Sequence, residues 1–258
     1  MDEPKANKSL GQHWLKDETS LSLITQAADL HKNDVILEVG PGLGQLTSHL
    51  VRDCQQVIAV ELDKVLASNL KSRVKANNLE VINQDILQFN FNQIKYPYKI
   101  VANLPYYLTS NFIRVISQSS HPPEMAVLLV QKEVAERLAA KPNNLSILGV
   151  TAQVYWQVSL GLTVPSYLFE PPPKVDSQLV ILNYRHEPLF DLDKKAFFRI
   201  VKAGFSQKRK TLLNSLSSGL RLDKELIKEA LAKAKIDDNR RAQTLSLNEW
   251  YQLYKQLN

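Results

Sequence analysis

The sequence predicts an open α/β sheet, mostly parallel, followed by a small all-helical domain. Three observations carry this expectation. Short Val- and Ile-rich runs at 35–39, 57–60, 80–82, 99–102 and 125–130 alternate with segments of helical period, as buried parallel strands and their crossover helices do. The first run leads directly into Gly40-Pro41-Gly42-Leu43-Gly44 and then a helical segment, the opening unit of a nucleotide-binding domain. From Asp191 onward only helical periodicity remains.

The chain has 258 residues, enough for one large domain with a smaller appendage, and the expected division is 1–186 and 187–258. A single cysteine, Cys54, excludes a disulfide framework and a Cys-based metal site within the chain; it reads as a small buried apolar group. The first nine residues are polar and charged, without the apolar core of a signal segment. No stretch approaches the ~20 apolar residues that span a bilayer. The expected compartment is the cytoplasm, with no membrane partner. The formal charge of +6 is unevenly placed. Residues 1–182 hold 16 Lys and Arg against 17 Asp and Glu, and residues 183–258 hold 16 against 9. The whole excess lies in the helical tail, which fits either a polyanion such as nucleic acid or a solvated Lys-rich surface.

Taken in order, a helix is expected from Asp17 to Leu30, with Leu21, Ile24, Ala27 and Ala28 on one face. Helices follow over Gln45–Val51, Lys64–Lys75 and Thr109–Ser119, and another from Gln131 to Ala140. Leu145–Thr151 is read as leading into an antiparallel strand pair near Gln153–Leu162 and Ser177–Tyr184. Their connection, with Pro165 and Pro171-Pro172-Pro173, is too short for a crossover helix. Tail helices are expected near Asp193–Ala203, Gln207–Ser217, Asp223–Lys233 and Leu247–Gln256. The densest basic run, Lys208-Arg209-Lys210, would then sit at a helix start, where the dipole also favours phosphate.

The candidate site gathers at the carboxyl ends of the first four strands. The glycines after the first strand stand at first, third and fifth positions, where a dinucleotide fingerprint has its third at the sixth, here Gln45. That spacing suits S-adenosylmethionine, which has no pyrophosphate to seat on a helix N-terminus. Glu61, 21 residues after Gly40, ends the second strand as an acceptor for ribose hydroxyls. Asp85, after the third, is placed for an adenine amine, or equally for an Asx-turn. The fourth strand runs into Asn103-Leu104-Pro105-Tyr106-Tyr107. Asn103 offers a carboxamide; Pro105 biases Leu104 towards an extended conformation that can present its carbonyl; Tyr106 offers a flat face. Two acceptors and a ring suit a flat base bearing an amine. Asn-x-Pro-Tyr alone is also an ordinary turn, but four strand ends each presenting such a group are not explained by turns. Phe169 and the proline run give a stiff apolar loop tip, either a second wall for a base or a packed connector.

These residues resemble the ribosomal RNA adenine dimethyltransferases, in particular their bacterial small-subunit branch. The resemblance runs in order through Lys8-Ser9-Leu10-Gly11-Gln12-His13-Trp14-Leu15, Leu37-Glu38-Val39-Gly40-Pro41-Gly42-Leu43-Gly44, Val60-Glu61-Leu62-Asp63, Asn103-Leu104-Pro105-Tyr106 and Gln131-Lys132-Glu133-Val134. It continues through Phe169-Glu170-Pro171-Pro172-Pro173-Lys174-Val175-Asp176-Ser177 and Phe205-Ser206-Gln207-Lys208-Arg209-Lys210-Thr211, and covers nearly the whole chain. It implies a Rossmann-like class I methyltransferase sheet with an antiparallel last strand, and S-adenosylmethionine as methyl donor with no metal. It also implies cofactor contact by His13, Leu15, Gly40, Gly42, Glu61, Asp85 and Asn103. The family often has Asn-Phe-Leu where this chain has His13-Trp14-Leu15.

The expected reaction is dimethylation of the exocyclic amine of adjacent adenines in a small-subunit (16S) ribosomal RNA loop during subunit biogenesis. Asn103, Leu104, Pro105 and Tyr106 form the catalytic loop, Tyr106 and Phe169 face the base, and Lys208, Arg209 and Lys210 grip the RNA backbone. The protein is expected to be a monomer. Alternatives are a large-subunit adenine methyltransferase of the macrolide-resistance type, a DNA adenine methyltransferase, and an RNA-binding assembly factor without catalysis.

Overall fold

The computed structural model describes Pro4, Ala6, Asn7 and residues 10–258. Lys8 and Ser9 of the N-terminal motif lie outside the described residues. In chain order, β1 (Trp14–Leu15) and α1 (Glu18–Ala27) precede β2 (Val35–Val39), α2 (Gln45–Asp53), β3 (Gln56–Glu61), α3 (Lys64–Val74), β4 (Leu79–Asn83) and β5 (Tyr98–Asn103). Next come α4 (Thr109–Gln118), β6 (Met125–Gln131), α5 (Lys132–Leu138), α6 (Ile147–Tyr155), β7 (Trp156–Val164), β8 (Phe169–Glu170) and β9 (Ser177–Tyr184). The chain ends with α7 (Lys194–Phe205), α8 (Leu212–Leu220), α9 (Lys224–Lys233) and α10 (Leu247–Leu257).

Seven strands form one sheet in the order β4-β3-β2-β5-β6-β9-β7. The pairings from β4 to β6 are parallel, and β9 runs antiparallel to both of its neighbours. This is the expected class I methyltransferase sheet with its antiparallel last strand. All five residues of β2 are buried, as are the central residues of β5 and β6, because helices cover both faces. The strand order reverses between β2 and β5, so their carboxyl ends splay apart and open a crevice. A separate two-stranded ribbon pairs β1 with β8, Trp14 opposite Glu170 and Leu15 opposite Phe169.

The chain divides into two compact units. One comprises the chain up to Glu136 with Trp156–Tyr184; the other comprises Arg137–Tyr155 with Arg185–Asn258. Two local expectations are corrected. The stretch from Leu145 does not lead into an extended segment at Gln153; it forms α6, and β7 begins only at Trp156. The helix forms because Val150, Ala152, Val154 and Tyr155 bury and the missing side chain at Gly149 admits the Arg137 carbonyl, 2.6 Å from where a Cβ would stand. Gln153 then caps the end of α5, donating to the carbonyls of Leu138 and Ala140 (2.9 and 2.8 Å).

The second correction concerns the basic run. Lys208, Arg209 and Lys210 are exposed and lie in the turn between α7 and α8, before the first residue of α8 rather than within a helix. The helix before them runs on to Phe205, whose ring stacks on Trp250 with centroids 5.5 Å apart. Gly204 allows that approach, since a Cβ there would meet the indole at 2.5 Å. Thr211 then takes the N-cap position of α8.

At the amino end of β5, remote from the crevice, Lys99 is 11% exposed along its side chain. Its Nζ donates to the carbonyls of Ala28 and Asp29 (3.2 and 2.6 Å) and pairs with Asp34 Oδ2 at 2.8 Å. This satisfied cation ties the end of α1 to the sheet and belongs to the framework. Lys99→Ala leaves the Asp34 carboxylate without that counter-charge and should cost about 2–3 kcal/mol. Urea denaturation checks this; a loss below about 0.5 kcal/mol would show that water replaces the ammonium without penalty.

Candidate active site

The crevice is lined by the ends of β2 to β5 and by the N-terminal segment Leu10–Leu15. His13, Leu15, Gly40, Gly42, Glu61, Asp85, Asn103, Leu104, Pro105 and Tyr106 all line this one cavity. The sheet brings the residues from Gly40 to Tyr106 together because they end or follow β2 to β5, whose carboxyl ends face the same rim, and the N-terminal segment brings His13 and Leu15 to it. Two groups of predictions do not join them. Phe169 is 4% exposed and packs in the apolar core. Lys208, Arg209 and Lys210 belong to the helical unit.

Glu61 is buried at the crevice wall, and both of its carboxylate oxygens meet backbone donors. Oε2 accepts from Gly42 N–H (3.1 Å) and Oε1 from Asp63 N–H (2.9 Å). The carboxylate is thereby held rigid with a lone pair on each oxygen available for a diol. Burial raises its pKa, and the two backbone N–H groups oppose that rise. Gly42 itself adopts φ +60°, and a Cβ there would meet the Trp14 indole at 3.0 Å. The glycine serves both the left-handed turn and the close approach of the N-terminal segment. Asp85 caps the short turn 86–88 through Oδ1, which accepts from Leu87 N–H at 2.9 Å. The Asx-turn and the cavity position therefore coexist, since a carboxylate has a second oxygen to offer.

The Asn103 carboxamide is fixed by the N-terminal segment. Its Nδ2 donates to the His13 carbonyl at 3.0 Å, so its Oδ1 remains the accepting end. The His13 ring stacks beside Tyr106, with centroids 5.7 Å apart and planes 25° from parallel. His13 Nδ1 lies 2.7 Å from the Pro171 carbonyl. Leu104 N–H donates to the Leu129 carbonyl (3.1 Å), which continues the β5–β6 ladder into the loop.

Glu38 is a cavity residue that the sequence reading did not single out. It is 1% exposed, and neither carboxylate oxygen meets a hydrogen-bond donor within the protein. Burial pushes its pKa up to about 8; the adjacent Thr47 hydroxyl pulls the other way without reaching hydrogen-bond geometry, and the Glu61 charge adds to the rise. An orphaned carboxyl in a ligand crevice fits a cationic ligand, whose charge would supply what the protein withholds. The available signal was an acid inside an otherwise apolar strand, two residues before the first glycine. Tyr107 and Gln12 also line the cavity. Among the described residues no group of three His, Cys, Asp or Glu side chains could hold a metal ion, and no helix is long and apolar enough to cross a membrane.

The sequence model of the ribosomal RNA adenine dimethylases matches residues 3–258. The chain belongs to the ribosomal RNA adenine dimethylase family. It is 43% identical over 254 residues to the ribosomal RNA small subunit methyltransferase A of Dehalococcoides mccartyi, covering 96% of this chain and 87% of that one. It is 39% identical to the protein of the same name from Alkaliphilus oremlandii, covering 96% and 90%. Among solved structures it resembles a dimethyladenosine transferase from Plasmodium falciparum (TM-score 0.80, 28% identity, 93% and 96% covered) and the 23S rRNA methyltransferase ErmE (TM-score 0.75, 27% identity, 95% and 99% covered). As a member of this family the chain is an S-adenosylmethionine-dependent methyltransferase acting on ribosomal RNA adenine. The crevice residues fit that cofactor: an anchored carboxylate for its ribose, a glycine turn for close approach, and an unsatisfied buried acid for its positive charge.

The Glu38 carboxyl generates a pH dependence with a definite sign. Its folded pKa lies above its unfolded value, so the folded state holds the proton more tightly. That contribution to stability is complete below about pH 4.5 and is lost as pH rises towards about 8. Glu38→Gln removes the ionisation. Urea denaturation of the cofactor-free proteins from pH 5 to pH 8 should show the stability difference moving steadily in favour of the variant. A difference that stays constant across this range would place the Glu38 pKa near its ordinary value.

Proposed function

We propose that this protein dimethylates the exocyclic amines of adjacent adenines in a loop of small-subunit ribosomal RNA, acting as a cytoplasmic monomer during subunit assembly. The observation that carries the catalytic part is the anchored Asn103 carboxamide at the crevice rim, with its oxygen as the accepting end and Tyr106 beside it. The names of the relatives at about 40% identity support the small-subunit RNA as substrate.

S-adenosylmethionine supplies an electrophilic methyl group carried on a sulfonium. Glu61 holds the ribose hydroxyls, Asp85 accepts from the adenine amine of the same molecule, and Glu38 meets its positive charge. His13, Leu15, Gly40 and Gly42 close around it. The target amine is a poor nucleophile because its lone pair is delocalised into the ring. Asn103 Oδ1 and the Leu104 carbonyl accept its two hydrogens, favour a more tetrahedral nitrogen and stabilise the positive charge that develops on it. Pro105 keeps the loop stiff. Tyr106 stacks on the extruded base, and Phe169 backs the ribbon that supports the rim. Holding the amine in line with the methyl group accounts for much of the rate, since such alignment is worth up to ~7–11 kcal/mol. Lys208, Arg209 and Lys210, on the basic helical unit, bind the RNA backbone.

The test uses labelled S-adenosylmethionine and undermethylated small ribosomal subunits. The wild type should form dimethyladenosine, and Asn103→Ala should lose about 10²–10³-fold in rate, the scale for removing one preorganised group that stabilises developing charge. Transfer to large-subunit RNA instead would move the substrate. Binding to the subunit without transfer by the wild type would sink the catalytic reading.

A further inference from the structure

Tyr106 carries a hydroxyl that base stacking does not need, since a phenylalanine ring would offer the same face. In the structure that hydroxyl is used inside the protein: Tyr106 Oη and Ser177 Oγ lie 2.9 Å apart. Burial raises the phenol pKa, the Ser177 hydrogen bond lowers it and the Asp176 charge adds to the rise, so the oxygen sits in a partly dry setting where a lost partner is felt.

Ser177 is well built to hold something still. It is fully buried and opens β9, between Gln131 of β6 on one side and Val164 of β7 on the other. The residue before it is held at two points: the Asp176 carbonyl accepts from Lys132 N–H (3.0 Å), and Asp176 Oδ1 accepts from Ser166 N–H (2.9 Å). The Ser177 hydroxyl therefore sits at a fixed position in a three-strand frame. A Tyr ring left to itself has a broad χ2 well and rotates about χ1. Pinning its far end to this frame, with the His13 ring alongside, leaves one orientation. The bond joins residues 71 apart in sequence, from the loop after β5 to the start of β9.

We propose that Ser177 is a positioning residue for the methyl-transfer reaction, its hydroxyl holding the Tyr106 ring in the plane that receives the extruded adenine. The inference rests on the stacking reading of Tyr106 given above. Ser177 does not line the crevice; it acts by removing the need to order the ring when RNA binds.

A double-mutant cycle tests this, with Ser177→Ala, Tyr106→Phe and the double variant assayed on small ribosomal subunits. Each single variant should lose roughly five- to tenfold in kcat/KM for RNA, the scale of one buried hydrogen bond. The double variant should lose no more than the larger single loss, because both changes break the same bond. Cofactor affinity should be unchanged throughout. ¹⁹F NMR of protein carrying 3-fluorotyrosine, with the Tyr106 signal assigned by its loss in Tyr106→Phe, should show that signal narrowing in Ser177→Ala as the ring becomes mobile. Tyr106→Phe keeps the fold independent of how well Ser177→Ala packs. Additive losses, singles at wild-type rate, or a parallel fall in cofactor affinity would each overturn the proposal. Tyr106→Ala separates it from the reading beneath it. A large loss there with wild-type rates in the other three variants overturns the positioning role and leaves stacking standing. No loss in Tyr106→Ala overturns both.

Discussion

The hydrogen bond from the Asn103 carboxamide to the His13 carbonyl is the constraint on which the site depends. It settles which end of the carboxamide accepts, and it ties the loop after β5 to a segment 90 residues earlier. That segment is itself held elsewhere: β1 pairs with β8, Lys16 bridges to Glu170 at 2.5 Å, and His13 Nδ1 reaches the Pro171 carbonyl. Gln12 adds a contact to Asp63 Oδ2 at 3.3 Å. The N-terminal segment, the proline loop and the loop after β5 thus brace one another around the crevice mouth. None of the three has enough regular structure to hold its shape alone.

Two acids in the crevice show how environment divides labour between like groups. Glu61 is buried but anchored by two backbone donors, so it is a rigid acceptor. Glu38 is buried with no donor, so its charge is costly until a cation arrives. The first arrangement suits a diol and the second a positive charge. A ligand presenting both satisfies both, which is a recognition rule built from desolvation and hydrogen bonding rather than from shape alone.

The helical unit is organised by aromatic packing and by a capped last helix. Phe190 stacks on Tyr251 at 4.5 Å, and the Tyr254 hydroxyl oxygen accepts from both Asp193 N–H and Asn258 Nδ2. Ser246 and Glu249 form a reciprocal capping box at the start of α10, and Arg240 pairs with the same Glu249. The basic side chains are therefore displayed from a unit whose interior is apolar and whose helices α7, α9 and α10 each begin at a side-chain cap.

The sheet and the rim of the site were legible in the sequence because their signals are local. A buried parallel strand is a short β-branched run, a glycine turn is visible as glycines, Glu61 and Asn103 each follow directly on a recognisable run, and Asp85 lies just past another. The basic tail was legible as charge. What local signals missed was decided by contacts distant in the chain. The strand was expected from about Gln153, yet α6 runs to Tyr155 because Gly149 and Gln153 fit the end of α5. Lys208-Arg209-Lys210 fell outside a helix because the preceding helix continued to Phe205 to meet Trp250. Phe169 turned inward because β8 pairs with β1. Glu38, Tyr106 and Ser177 each stand in a motif, but the unsatisfied state of the first and the bond between the other two arise only in the assembled fold. Periodicity reports which face a residue takes; only the assembled sheet decides which donors and acceptors, far apart in sequence, end within 3 Å of one another.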